Sequence, residues 1–275
     1  MMRKFFMLVA SCLFISSVPV PCFAAPVLYN TPVKQGKMPF WGLPLFILAE
    51  GFCKENPDHF CIVQSSLTSE DLEKIAKKRP DSLDIEKGAD ASLLTNIDSF
   101  KHVTKFWLKD EYNNTAHLRN LKSYHPKFVY LFQLKPLSDE ALVALGSIDT
   151  EDLHIVNGVA NPDVFGSNPP KNLKKLTIGI TISFLNLPDL KTLTLMRMKV
   201  GAKILKNIKA PKLKELNLIS VDLEDGCAEE LTRIRNLQKL CLAETSISPS
   251  DFAKLRKKMG SKLECRNVRI VSQGD

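Results

Sequence analysis

A short triplet of apolar, variable and apolar residues recurs along most of this sequence, and its spacing constrains the fold more than any other feature. Successive triplets are 23 or 24 residues apart, except for one step of 17. The ten triplets begin at Phe60, Leu83, Phe106, Val129, Leu153, Leu176, Leu193, Leu216, Leu240 and Leu263. Alternate residues of a strand point to opposite faces, so each triplet predicts a short β-strand with two core residues and one outward residue.

Helix-start signals lie between several of these strands. Thr68 precedes an acidic turn, Ser138 precedes Asp139, and Ser248 precedes Pro249, which suits the first helical turn. A unit of one strand and one short helix cannot bury its own apolar face, so the units must stack. A (β/α)₈ barrel also alternates strands and helices, but its units average about 30 residues. The spacing therefore favours a solenoid.

A leucine three residues before the triplet extends the pattern to L-x-x-L-x-L. This leucine is Leu173, Leu190, Leu213 or Leu237, and Val103 takes its place in an earlier unit. The pattern resembles the leucine-rich repeat family. The resemblance implies an α/β, right-handed horseshoe solenoid whose concave face is a parallel sheet of about ten short strands. The family's asparagine ladder is not expected, because its positions hold Gly88, Glu111, Thr181, Met198, Val221 and Thr245.

The ends of the chain lack the repeat. Residues 1–24 resemble a secretory signal peptide, with Arg3 and Lys4 before an apolar run and Cys22 to Ala24 before a cleavage point after Ala24. We expect a cap at 25–59, repeats at 60–265 and a tail at 266–275, with the stretch after Leu263 closing the second end. This organisation predicts a secreted or periplasmic, bacterial protein without stable membrane insertion.

Charge and cysteine content restrict the partners and the redox chemistry. The net charge of +8 is spread along the chain without a dense basic block, which argues against nucleic-acid binding. In an oxidising compartment, Cys53 and Cys61 could form a disulfide bond. Cys227, Cys241 and Cys265 cannot all pair with one another, so one free thiol is expected.

The sequence carries no catalytic motif, and we predict neither an enzyme nor a bound cofactor or metal. His59 and Cys61 lack further metal ligands. His154 and Cys241 occupy outward positions, but four strand steps of about 4.8 Å separate them by about 19 Å, too far for proton transfer. The alternatives left open are an effector enzyme that uses a cysteine nucleophile and a repeat receptor for a lipid or a glycan.

The outward positions of three neighbouring strands suggest a binding surface. Aromatic side chains with nearby cations are typical of binding hot spots. The candidate residues are Lys105, Trp107, Lys109, Phe128, Tyr130, Phe132 and His154. We expect a monomer that binds a protein partner here, with Thr177, Thr192, Thr194 and Asn217 as solvated positions. Two alternatives stay open: a one-residue slip of the strand at Phe128 to Phe132, which would bury these aromatics, and coverage by the amino-terminal segment.

Overall fold

The computed structural model describes residues 60–63, 68–85, 100–110, 115–133, 137–156, 162–179 and 185–271. The predicted signal peptide, the cleavage after Ala24, the cap at 25–59 and Cys53 lie outside these residues and stay predictions. The predicted disulfide bond is therefore untested as well, because only the backbone of Cys61 is described.

The described residues form a solenoid built on one ten-stranded parallel sheet. Its strands, in spatial order, are β1 (Phe60–Val63), β2 (Ser82–Ile85), β3 (Lys105–Asp110), β4 (Phe128–Gln133), β5 (Asp152–Ile155), β6 (Lys175–Ile178), β8 (Thr192–Met196), β11 (Glu215–Ile219), β13 (Lys239–Ala243) and β15 (Leu263–Arg266). Every neighbouring pair is parallel. The predicted leucine-rich-repeat type of solenoid, with about ten short strands, is confirmed.

Seven helices in the described residues connect these strands. They are α1 (Ser69–Lys77), α2 (Thr115–Leu121), α3 (Asp139–Gly146), α4 (Pro162–Ser167), α5 (Ala202–Lys206), α6 (Cys227–Arg233) and α7 (Pro249–Met259). The predicted helix starts are confirmed, since Thr68, Ser138 and Ser248 each accept a backbone N–H of the first turn with the side-chain oxygen. Asp71 returns a bond to the Thr68 N–H and so completes a capping box. Two 3₁₀ turns, Lys122–Tyr124 and Gly260–Lys262, follow α2 and α7.

Strand register confirms nine of the ten triplets. Core members such as Leu83, Val129 and Leu216 are fully buried in one continuous apolar core, which also contains the leucine three residues upstream. The first triplet is wrong by one residue, because Cys61 pairs with Leu83 and Ile62 with Asp84. Cys61 therefore occupies a core position in the register. Residues 60–63 form an unbroken apolar run, which gives periodicity no means of choosing between the two phases.

A second, four-stranded parallel sheet replaces the asparagine ladder. It consists of β9 (Lys199–Val200), β12 (Asp222–Leu223), β14 (Ser246–Ile247) and β16 (Arg269–Ile270). Backbone hydrogen bonds one repeat apart hold it, such as the Asp222 N–H to the Met198 carbonyl at 3.1 Å. The remaining short strands, β7 (Leu185–Asn186) and β10 (Ile208–Lys209), pair with each other. Main-chain bonding thus satisfies these turns without a side-chain ladder.

The last repeat does not close the solenoid as expected. Leu263 is only half-buried and Cys265 is exposed, although both hold core positions of the triplet. Strand β16 extends the fold into the segment predicted as a tail, yet Ile270 is 54% exposed.

No helix in the described part of the chain has the length and apolar character needed to cross a membrane.

Candidate binding surface on the outer face of the sheet

The middle residues of the triplets form one continuous row on the face of the ten-stranded sheet opposite the core, here called the outer face. Strand pairing aligns them directly from β2 to β15. The row reads Asp84, Trp107, Tyr130, His154, Thr177, Thr194, Asn217, Cys241 and Glu264. Parallel pairing without a bulge keeps all of these side chains on one side.

An apolar cluster lies on the outer face, separate from the main core. This outer cluster consists of Trp107, Phe128, Tyr130, Phe132 and Val156. The Trp107 and Phe128 rings have centroids 5.0 Å apart, within the range of favourable aromatic pairs. The structure therefore brings together side chains of β3 and β4 and that of Val156, which directly follows β5.

His154 extends the outer cluster toward a charged border. Its ring centroid lies 5.1 Å from that of Phe128 and 5.9 Å from that of Tyr130. Its Nε2 is 3.0 Å from Asp152 Oδ1, and the second oxygen of Asp152 is 3.9 Å from Lys175 Nζ. The imidazole thus joins the aromatic rings to a row of paired charges.

The alternative of a slipped register is excluded. Val129 and Leu131 are fully buried in the main core, so the aromatic residues of β4 face outward as predicted. Two of the outward-facing aromatic residues, Trp107 of β3 and Tyr130 of β4, are nevertheless almost fully buried. Trp107 is only 5% exposed and Tyr130 only 8%. The accessible rim of the outer cluster consists of the half-buried Phe128, Phe132 and His154.

Burial changes the acid–base behaviour of Tyr130. Loss of hydration disfavours the phenolate and raises the pKa of Tyr130 to about 12. Asp84 adds to this rise in pKa, and the guanidinium of Arg197 opposes it. Arg197 stands just after β8 in a left-handed conformation, with φ at 54°. The triplet pattern ends before this residue, so sequence reasoning did not find it.

The structure describes the side chain of only one of the two predicted lysines. Lys105 is half-buried and pairs in register with Phe128. Lys109 pairs in register with Phe132, but its side chain lies outside the described residues. Its contribution to the surface stays a prediction.

The outer face beyond His154 is not the solvated surface we expected. Thr177 and Thr194 are buried, and Asn217 is 1% exposed while its Nδ2 donates to Thr194 Oγ1 at 3.3 Å. Side chains on strands about 4.8 Å apart shield one another when each is short. Of these four residues, Thr192 alone is half-buried and keeps part of its surface accessible.

Paired charges border this neutral half of the outer face. Lys239 Nζ lies 3.6 Å from Glu215 and 3.3 Å from Glu264. The pair of Lys175 and Asp152 continues the same border toward the outer cluster. This half of the outer face therefore carries compensated charge, which distinguishes it from the aromatic half.

The cysteines give no sign of a nucleophile. All three described thiols are free, so the expectation of a single free thiol is wrong. Burial raises the pKa of Cys227 to about 12, and burial also raises the pKa values of Cys241 and Cys265. A reactive cysteine needs the opposite shift. His154 and Cys241 lie four strand steps apart in the observed register, as expected.

A shallow cleft of about 520 Å³ lies away from the outer face. Its lining residues are Arg119, Lys122, Ser123, His125, Ser147 and Asp149. His125 Nδ1 is 3.8 Å from Asp149, whose other oxygen accepts from Asn172 Nδ2 at 2.7 Å. Among the described residues, no three histidine, cysteine or carboxylate side chains come together in a way that could hold a metal ion.

Comparison with known proteins adds structural neighbours only. No protein-family model and no curated protein matches the sequence. Among solved structures, the chain is similar to a chain of the Toll–Spatzle complex of Drosophila, with a TM-score of 0.49 and 13% identity over 72% of this chain. It spans 29% of that chain's length. It is also similar to an internalin from Listeria monocytogenes, with a TM-score of 0.34 and 13% identity over 80% of this chain and 89% of that chain.

Proposed function

We propose that this chain is an exported, non-catalytic protein that binds another protein through the outer cluster and its rim. The observation that supports the proposal is the alignment of aromatic side chains from neighbouring strands into one cluster outside the core. A cluster of this kind offers large contact area beside polar edges, as binding hot spots do.

The solenoid itself does not require aromatic residues at these positions. The same row carries threonine at Thr177 and Thr194, and the sheet continues there in unbroken register. Trp107 and Tyr130 therefore serve something other than strand pairing. Their burial makes them a support for the rim, on which Phe128, Phe132 and His154 would meet the partner.

The predicted signal peptide supports export to the periplasm or to the outside of a bacterial cell. Either destination would suit an interaction module, including one that engages a host protein. Mass analysis of the protein recovered from the export compartment tests this part. We expect a mature chain that begins at Ala25, and an uncleaved chain retained in the cytoplasm would contradict it.

A pull-down followed by direct titration tests the binding surface. The bait pair is the native chain and the Phe128→Ala, Phe132→Ala, His154→Ala variant, with a Thr192→Ala variant as the matched control on the same face. We expect a captured protein to bind the native and control chains equally and the triple variant at least about ten-fold more weakly, since hot-spot residues contribute 1–2 kcal/mol or more each.

Two other outcomes would redirect the proposal. A captured protein that binds the triple variant as tightly as the native chain would move the site off the outer cluster. Binding of a lipid or glycan, in place of a protein, that is lost in the triple variant would favour the alternative of a repeat receptor. The raised thiol pKa values give no support to a cysteine-dependent enzyme.

A further inference from the structure

The carboxyl-terminal end of the solenoid presents core positions to solvent. Ile247 of β14 is 1% exposed, whereas Ile270, its register partner on β16, is 54% exposed. Leu242 is fully buried, whereas Cys265, its partner on β15, is exposed. In the upstream repeats whose side chains the structure describes, the same positions are buried. Within the described residues, the last repeat has no such cover.

Strand β15 also offers an ordered free edge. Its pairing among the described strands is with β13 alone. The Arg266 carbonyl accepts from the Glu244 N–H at 2.9 Å, so the peptide groups of Arg266 face β13. Residues of a parallel strand alternate in the direction of their peptide groups, so those of Glu264 also face β13. The N–H and carbonyl of Cys265 therefore point away, where another strand could bind them.

We propose that this edge pairs with the same edge of a second copy of this chain. The two β15 strands would run antiparallel about a twofold axis at Cys265, each Cys265 exchanging two backbone hydrogen bonds with its counterpart. This arrangement keeps the outer faces of both sheets on one side and joins two ten-stranded sheets into one. It also places the core-side Leu263 and Cys265 of each copy against those of the other.

Charge complementarity favours this register, in which Glu264 would be shared between Lys239 of its own chain, 3.3 Å away, and Arg266 of the second copy. With Cys265 on the axis, Glu264 lies directly opposite Arg266 of the second copy, and the same pair forms again on the other side of the axis. Closely opposed residues of opposite charge stabilise antiparallel strands. An axis at Glu264 would instead oppose two carboxylates and use peptide groups already bonded to β13. An axis at Leu263 would also oppose unlike charges, Lys262 and Glu264, but Lys262 belongs to the 3₁₀ turn and not to β15. The register centred on Cys265 is therefore the one in which both opposed charges lie within the strand, and the proposed dimer departs from the monomer expected from the sequence.

The partner of the outer cluster is independent of this proposal, because β3 and β4 lie far along the sheet from β15. The dimer can therefore form whether or not the proposed protein partner exists, and the two proposals fail separately.

Sedimentation equilibrium of the full chain over a wide concentration range tests the proposal. We expect a monomer–dimer equilibrium for the native chain. Arg266→Glu and Glu264→Lys should each weaken dimerisation at least ten-fold, because each opposes like charges twice. An equimolar mixture of the two variants should dimerise again, since each Glu or Lys then meets its opposite charge. Arg269→Glu makes the same charge change on exposed β16, outside the pairing, and should dimerise like the native chain.

A thiol-specific bismaleimide gives an independent readout. It should link two chains through Cys265 in the native protein and fail to do so in Arg266→Glu, while Cys265→Ser should still dimerise in sedimentation. Far-ultraviolet circular dichroism confirms that each variant is folded. A native chain that stays monomeric at all concentrations would overturn the proposal. Dimers that survive Arg266→Glu, dissociate equally with Arg269→Glu, or do not re-form in the mixture would overturn it as well.

Discussion

Tyr130 and His154 lie directly opposite each other on neighbouring parallel strands, with ring centroids 5.9 Å apart. The two rings nevertheless differ in environment. Tyr130 is buried in the outer cluster, whereas His154 keeps a partly exposed edge next to Asp152. The neighbouring strands β4 and β5 thus place the buried ring of Tyr130 next to the partly accessible ring of His154.

The burial of Tyr130 predicts a loss of stability at high pH. The phenol ionises near pH 10 in the unfolded chain but only near pH 12 in the folded one, so unfolding releases a proton between these values. The free energy of unfolding should fall through this window by at most about 2–3 kcal/mol from Tyr130. Denaturant titrations at several pH values should show a shallower fall for Tyr130→Phe. Parallel profiles would contradict the prediction, since Cys227 titrates equally in both proteins.

The buried thiols predict selective alkylation. At neutral pH, iodoacetamide should leave Cys227 and Cys241 unmodified in the folded chain, because burial shields them and raises their pKa values. The exposed Cys265 serves as the internal reference, measured in the Arg266→Glu variant where its edge should be free. Peptide mass spectrometry follows each site over time. Fast modification of Cys227 or Cys241 before unfolding would revive the cysteine-enzyme hypothesis.

The Thr245 hydroxyl should contribute measurably to stability. This fully buried side chain donates to the Leu218 carbonyl at 2.9 Å and lies 3.1 Å from that of Ala243. Thr245→Val keeps the shape but removes the buried hydroxyl's bond to the Leu218 carbonyl, which should cost about 1 kcal/mol of the free energy of unfolding. Thr177→Val is the matched control on the outer face, with an expected change within about 0.5 kcal/mol. Equal effects in a denaturant titration would count against the role of this bond.

Arg79 occupies a position where glycine should be better. It follows the end of α1 with φ at 51°, in the left-handed region that commonly ends helices. A side chain costs about 1–2 kcal/mol in this conformation, so Arg79→Gly should raise the free energy of unfolding by about 0.5–1 kcal/mol after the entropy of glycine is counted. Arg79→Val should lower it, because a β-branched residue tolerates this region least. Thermal unfolding of the three proteins decides the order.

Local sequence pattern is enough to identify the residues that form the core. Strand alternation has a period of two and the repeat has a nearly constant length, so together they assign residues such as Leu83, Val129 and Leu216 to one face. The caps at Thr68, Ser138 and Ser248 were equally readable, because N-capping depends on residues only a few positions apart. At 60–63 every residue is apolar, so alternation does not show which residues face the core, and the predicted triplet is one residue out of register.

Contacts between repeats set how much of the outer face is accessible and how the ends are formed. Trp107 and Asn217 hold outward positions but are buried, because exposure depends on side chains one repeat away and not on the strand's own alternation. The strands of the second sheet follow residues such as Arg197 and Glu244. These residues adopt a left-handed conformation that their residue type does not predict. The open edge at β15 likewise depends on which strand lies beside it, a relationship across repeats that a local pattern does not contain.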